Sequence, residues 1–168
     1  EVRTGAEVTS IEHPRRLARL ADGEEIRYDK LVIATGARGN RDGIEGAGEP
    51  HVHGMNTIAE AARLREYLRG ARAGRATVIG AGYLGMEAAE ALRTHGWKVT
   101  MVQAGADVLG RNDPWLTGLV ARHLERFGVE LRHGERVKRV PAEGLVVLAA
   151  GLLPNVELAR EAGVEMGR

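Results

Sequence analysis

The sequence contains no cysteine, which excludes a disulfide framework, a thiolate nucleophile and any cysteine-ligated metal centre. It has no apolar run near the roughly 18 residues that a membrane helix requires. No leader pattern opens it, because Glu1-Val2-Arg3 is charged rather than basic and then apolar. Lysine is scarce, with Lys30, Lys98 and Lys138 the whole supply, and the arginines are scattered among acids. The formal net charge is only +1, so no basic stripe of the kind that tracks nucleic acid stands out. These absences lead to the expectation of a cytoplasmic protein whose partners include neither nucleic acid nor a membrane. Six histidines are present, none paired at a zinc-binding helical spacing. His51 and His53 alternate in 50-PHVHG-54, which reads as a loop or short strand before it reads as a metal site.

What remains is the composition of a globular chain, 168 residues with 43% apolar and 28% charged content. That length holds one full domain and a piece of another. Val8 and Ile11, then Leu17 to Leu20, mark two extended runs, and 21-ADGEEIRYDK-30 places an Asp-Gly turn between extended pieces. The continuous apolar run 31-LVIATG-36 predicts a buried strand. Residues 37–50, rich in glycine and charge and ending in Pro50, read as a linker. Thr57 followed by Glu60 is a capping-box pattern that opens a helix over 58–69, with Gly70 as its stop. A strand at 76–80, a helix at 83–95 and a strand at 98–103 follow. Asp113-Pro114 begins a further helix that ends before Gly128, and short strands follow at 129–131 and 145–151. Strands alternating with helices predict a parallel α/β sheet.

The centre of this pattern is Gly80-Ala81-Gly82-Tyr83-Leu84-Gly85. In a dinucleotide site the first glycine permits the tight turn out of the strand. The second lets a pyrophosphate approach the backbone at a helix start, and the third lets the helix press on the strand. The helix dipole supplies positive charge, so no lysine is needed. A lone G-x-G-x-x-G is weak evidence, but here it lies between a strand and a helix, with a second strand ending on schedule at Gln103. Gly46-Ala47-Gly48 repeats the first half of the motif, but Glu49-Pro50 follows and blocks a helix, so this one is a loop. A methyltransferase would be the main competitor for such a turn, and it too would want an acid where Gln103 stands. Glutamine can donate to or accept from a ribose hydroxyl and repels no 2′-phosphate. The nearest downstream arginine, Arg111, lies beyond Asp107 and is poorly placed for a phosphate clamp. The reading therefore favours NADH over NADPH.

Three segments, 29-DKLVIATGA-37, 78-VIGAGYLGMEAAEAL-92 and 148-LAAGLLPNVELAREAG-163, together resemble the flavin-dependent pyridine nucleotide-disulfide oxidoreductases. With 53-HGMNTIAEAARLREYL-68, the chain looks most like the coenzyme A-disulfide reductases and NADH oxidases of that superfamily. The resemblance implies a three-layer Rossmann-like α/β sheet of the FAD/NAD(P)-binding type, preceded by a β-rich remnant of an FAD domain. It implies an FAD-domain segment over 1–40, an NAD(P)H-binding domain over 41–153, and a return toward the FAD domain over 154–168. Gly80 to Glu87 matches the family's NAD(P)H motif, with Tyr83 covering the nicotinamide pocket and Glu87 beside it, and Gly151 falls in the third segment as a further cofactor contact. The parent activity would pass hydride from NAD(P)H to FAD and on to a disulfide, oxygen or another acceptor. The family's own FAD-binding glycine motif, its redox cysteine and its dimerisation domain have no counterpart in this sequence. The expectation is a middle piece of a longer protein that binds a dinucleotide without turnover. A stand-alone NAD(P)-binding regulatory module is the alternative, and a purely structural piece is a third. Residues 137–146 are shorter than the β-meander usual in that family, which puts the local sheet edge in doubt.

Overall fold

The computed structural model describes residues 1–110 and 113–167. In chain order its elements are β1 (Val8–Glu12), a 3-10 turn (His13–Arg15), β2 (Leu17–Leu20), β3 (Glu25–Arg27), β4 (Ala37–Gly39), β5 (Val52–Gly54), α1 (Ile58–Gly70), β6 (Arg75–Ile79), α2 (Tyr83–Thr94), β7 (Lys98–Val102), α3 (Pro114–Arg126), β8 (Val129–Arg132), β9 (Leu145–Leu148), β10 (Leu152–Pro154) and α4 (Glu157–Glu161). The chain divides into two compact units, Glu1–Arg38 with Pro154–Arg168, and Gly39–Leu153. It passes between them within β4 and within β10, which pair as a two-stranded ribbon.

The smaller unit is built on an antiparallel meander, β1-β2-β3. Its core is Ile11, Leu17, Ala18 and Leu20, joined by Ala159 of α4, which packs on β1. The run 31–36 belongs to this unit and is not the strand that its apolar content predicts. It is irregular, and Val32 is 86% exposed. A strand needs a neighbour for its N–H and C=O groups, and among the described residues no strand lies beside this run. What fixes it is Asn155, whose N–H donates to the Gly36 carbonyl at 3.0 Å and whose Nδ2 donates to the Thr35 carbonyl at 2.9 Å. Thr35 Oγ1 donates in return to the Asn155 carbonyl at 2.6 Å.

The larger unit is a five-stranded parallel sheet in the order β5-β9-β6-β7-β8. Inward alternation explains its two faces. Val78, Met101, Val129 and Val147 point to the side covered by α1, α2 and α3, where they meet Leu64, Ala88, Ala89, Leu92 and Leu124. The stripe Gly85, Ala88, Ala89, Leu92 on α2 has the helical spacing that buries one face. On the opposite side Ile79, Val52, Val146 and Leu148 of the sheet meet Ala47 and Val140, so coil segments cover this half of the sheet. β9 is therefore apolar at every position, as a strand buried on both faces must be.

The short crossover from β8 to β9 does not damage the sheet edge. β9 pairs with β5 on one side and β6 on the other, and the crossover is pinned by a bridge between Glu45 and Arg139. Beyond this coil cover the sheet face turns polar. Thr100 Oγ1 donates to Glu130 at 3.0 Å, and Glu130 pairs with Arg132 at 2.8 Å, beside an open concavity of about 940 Å³.

Helix ends follow the expected chemistry with one variation. Asp113 caps α3 by accepting from Trp115 N–H at 2.8 Å, with Pro114 at the first position. Thr57 Oγ1 accepts from Glu60 N–H at 3.1 Å, but the Glu60 carboxylate reaches back to Asn56 N–H (2.8 Å) rather than to Thr57. The box is thus closed one residue early, with Arg41 also 3.5 Å from Glu60.

Candidate functional site

In the sheet order, β6 leads to β7 on one side, while the chain later returns to β9 on the other. The C-terminal ends of β6 and β9 therefore flank a topological switch point, the place where open α/β sheets bind ligands. The glycine-rich turn occupies it. Gly80 adopts φ +106°, and a Cβ there would run into the Ala149 carbonyl at the end of β9. Gly85 has no room either, since a Cβ would strike the Gly80 carbonyl. These two glycines serve close backbone packing.

Gly82 is different. Nothing lies within 4 Å of where its Cβ would be, and it is the N-cap of α2 with no side-chain cap. The first N–H groups of a helix have no intrahelical partner. Here they open at a residue without a side chain, with the macrodipole's positive end behind them. This 12-residue helix start has the geometry and charge to receive a phosphate.

Ala81, fully buried, is held from both sides by the loop that follows β7. Its N–H donates to Gln103 Oε1 at 3.1 Å, and its carbonyl accepts from Leu109 N–H at 2.8 Å. Val108, 1% exposed, anchors that loop in the core. Gln103 Nε2 donates to the Asp107 carbonyl at 3.3 Å. The sequence expectation for Gln103 concerned the ribose 2′-hydroxyl or a 2′-phosphate; in the structure its side-chain oxygen also braces the turn. Arg111, the other residue weighed for a 2′-phosphate, lies outside the described residues.

Tyr83 (70% exposed) and Glu87 sit one helical turn apart on the same exposed face of α2, and Leu84 is also partly open. Gly151, with φ +94° and open space around it, follows the end of β9, and its carbonyl accepts from Asn40 N–H at 2.9 Å. The candidate residues thus divide. Gly80, Ala81, Gly82, Gly85 and Gln103 form one bonded or packed group, Tyr83, Leu84 and Glu87 are exposed on the helix beside it, and Gly151 stands at the neighbouring strand end. Two contributors escaped the sequence reading, Ala149 and the Val108-Leu109 pair. The pair of large apolar residues in the otherwise small-residue stretch 104-AGADVLG-110 was the available signal. Among the described residues no cluster of His, Asp or Glu could hold a metal, and no helix is long and apolar enough to cross a membrane.

A family model described as pyridine nucleotide-disulphide oxidoreductase matches residues 1–168. The anthranilate 1,2-dioxygenase system ferredoxin–NAD(+) reductase component of Burkholderia cepacia is 35% identical over 182 residues, 98% of this chain and 44% of that protein. A CoA-dependent NAD(P)H sulfur oxidoreductase of Pyrococcus abyssi is 33% identical, over 99% of this chain and 41% of its own length. The chain thus spans under half the length of these relatives. The solved water-forming NADH oxidase of Lactobacillus brevis, bound to NADH, superposes with TM-score 0.83 at 29% identity, covering 92% of this chain and 38% of that one. An engineered form of the same enzyme, bound to NADPH, gives TM-score 0.88 at 28% identity, covering 99% of this chain and 41% of that one.

Proposed function

The chain belongs to the pyridine nucleotide-disulphide oxidoreductase family, and from that membership we propose that residues 39–153 bind the nicotinamide dinucleotide of a flavin-dependent oxidoreductase. The observation that carries this reading is the contrast within the turn. Gly80 and Gly85 are closed by backbone, whereas Gly82 is open at an uncapped helix start placed at the switch point of the sheet.

In this reading the pyrophosphate lies on the first turn of α2, against the Gly82 backbone. Gln103, at the end of the second strand, serves the adenosine ribose. Tyr83 and Glu87, on the open face of α2, attend the nicotinamide end, with Gly151 across from them on the β9 side. NAD(P)H bound there would supply a hydride, and a flavin held by the rest of the protein would be its acceptor on the way to a disulfide, oxygen or another acceptor. What this chain contributes is placement, by the rigid turn and by a helix start that takes negative charge without a lysine. Residues 1–38 and 154–168 are read as part of the flavin domain. The one G-x-G-x-x-G of the sequence lies in the larger unit, and dinucleotide binding is the role read for this chain, with turnover left to the whole protein.

Calorimetric titration of the 168-residue chain with NADH and with NADPH tests the reading. Saturable binding of either one, lost in Gly82→Val, supports it. If neither binds, the chain is not a working cofactor domain.

A further inference from the structure

We propose that Gln103 makes the adenosine-ribose end of this site a hydrogen-bond donor, so that the chain takes a dinucleotide bearing a 2′-phosphate at least as well as one with a free 2′-hydroxyl. This rests on the dinucleotide reading above and goes further, because it reverses the preference for NADH suggested by the sequence.

The argument turns on which end of the amide faces which group. An amide side chain can usually present either its oxygen or its nitrogen, and the two are assigned from their partners. Here the partner settles the matter. Ala81 N–H is a donor 3.1 Å away, and only Oε1 can accept from it, since the –NH₂ group would place donor against donor. The second contact agrees, with Nε2 donating to the Asp107 carbonyl at 3.3 Å. Both contacts lie within one compact unit, and Ala81 is fully buried, so leaving its N–H unpaired would be costly.

With one lone pair of Oε1 engaged, Gln103 keeps for a ligand the second N–H of Nε2, the other lone pair of Oε1, and no charge. A carboxylate at this place has the opposite character. One oxygen can brace the turn while the other accepts from a ribose hydroxyl and repels a phosphate. The glutamine keeps the brace and replaces a charged acceptor with a neutral group that can donate. A 2′-phosphate is an acceptor only, and a 2′-hydroxyl can do both, so a donor serves the phosphate fully. Positions 103–106 carry no carboxylate that would oppose it. Asp107 and Glu135 meet Gln103 through their main chains, the Asp107 carbonyl accepting from Nε2 and the Glu135 N–H donating to the Gln103 main-chain carbonyl at 3.1 Å.

The test is calorimetric titration of the whole chain with NADPH and NADH, as wild type and as Gln103→Glu. The variant is close to isosteric and retains an oxygen for Ala81 N–H, and an unchanged melting temperature verifies that the turn is intact. For the wild type, NADPH is expected to bind as tightly as NADH or more tightly. In Gln103→Glu the ratio of NADPH to NADH affinity should fall by about tenfold or more, through like-charge repulsion. A brace with no ligand contact would change both affinities equally and leave that ratio alone. The proposal is overturned if wild type binds NADH more than about threefold tighter than NADPH, or if the substitution leaves the ratio unmoved. Absence of binding by both dinucleotides overturns the underlying site reading, and this proposal with it.

Discussion

The larger unit contains the tripeptide Gly-Ala-Gly twice, as Gly46-Ala47-Gly48 and as Gly80-Ala81-Gly82. Through three residues the two are alike. Both first glycines have positive φ, +80° and +106°, both alanines are buried, and both final glycines face open space. They part at the next residue. After Gly82 the chain enters a 12-residue helix, so a row of N–H groups opens beside the bare glycine. After Gly48 come Glu49 and Pro50, and the N–H groups of Glu49 and Val52 are spent on tight turns, to the carbonyls of Gly46 (3.0 Å) and Glu49 (2.9 Å). Surroundings differ as well. Gly80 is pressed against the backbone of β9's exit, whereas Gly46 is pressed against the Val140 side chain. A glycine motif acquires chemistry from what it joins, and the local conformation of the tripeptide does not supply it.

The first way to break this comparison is to add one methyl group. At Gly80, alanine would combine a disfavoured φ with a collision against a fixed carbonyl, a cost of about 2–5 kcal/mol. At Gly46 the φ is equally unfavourable, but the obstacle is a methyl of the buried Val140 at 2.6 Å, a side chain that must shift rather than a fixed carbonyl, so a smaller loss of about 1–3 kcal/mol is expected. Urea denaturation of the two variants measures this. Equal losses would mean that the β9 backbone yields as easily as a side chain, and the close-packing role given to Gly80 would fall.

The second test reaches the ligand rather than the fold. Gly82 and Gly48 both have room for a side chain and neither has a positive φ, so valine at either position should leave stability within about 1 kcal/mol. Gly82→Val should nevertheless weaken dinucleotide binding by roughly a hundredfold or more, by keeping the pyrophosphate off the backbone. Gly48→Val should leave binding unchanged. A shared loss, or no loss in either, would remove the distinction on which the site rests.

Much of this contrast was legible beforehand. The spacing of three glycines between an apolar run and an alanine-rich helix located the turn, and Pro50 disqualified its twin. The Asp113-Pro114 start of α3 was equally plain, because capping is a local interaction between neighbours in sequence. What stayed hidden depends on partners distant along the chain. Nothing near Gly80 announces Ala149, which meets it only because β9 returns beside β6. The orientation of the Gln103 amide is set by Ala81, 22 positions earlier. The run 31–36 shows the converse failure. Apolar content predicted a strand, yet a strand is made by its neighbour, and the described residues provide none.

The smallest expected effect lies on the silent side of the comparison, where Gly46-Ala47-Gly48 leads into β5. His53 on that strand has a buried Nε2 with no hydrogen-bond partner among the described residues, and its ring lies 4.8 Å from that of Tyr67. Burial holds its pKa below the usual histidine value, with Arg41, Arg63 and His51 adding repulsion in that order. A histidine whose folded pKa is depressed favours folding in its neutral form. Its contribution is therefore present above the unfolded pKa, about 6.5, and is lost as pH falls below it. Melting temperature should accordingly drop between about pH 7.5 and pH 5.5, and His53→Phe, which keeps a ring against Tyr67 but cannot titrate, should reduce that drop. His51→Gln should reduce it less, because His51 is the last of the three charges that repel the protonated ring. If the drop survives intact in His53→Phe, the acid sensitivity belongs elsewhere, and the strand that follows the silent tripeptide is as indifferent to pH as its loop is to ligand.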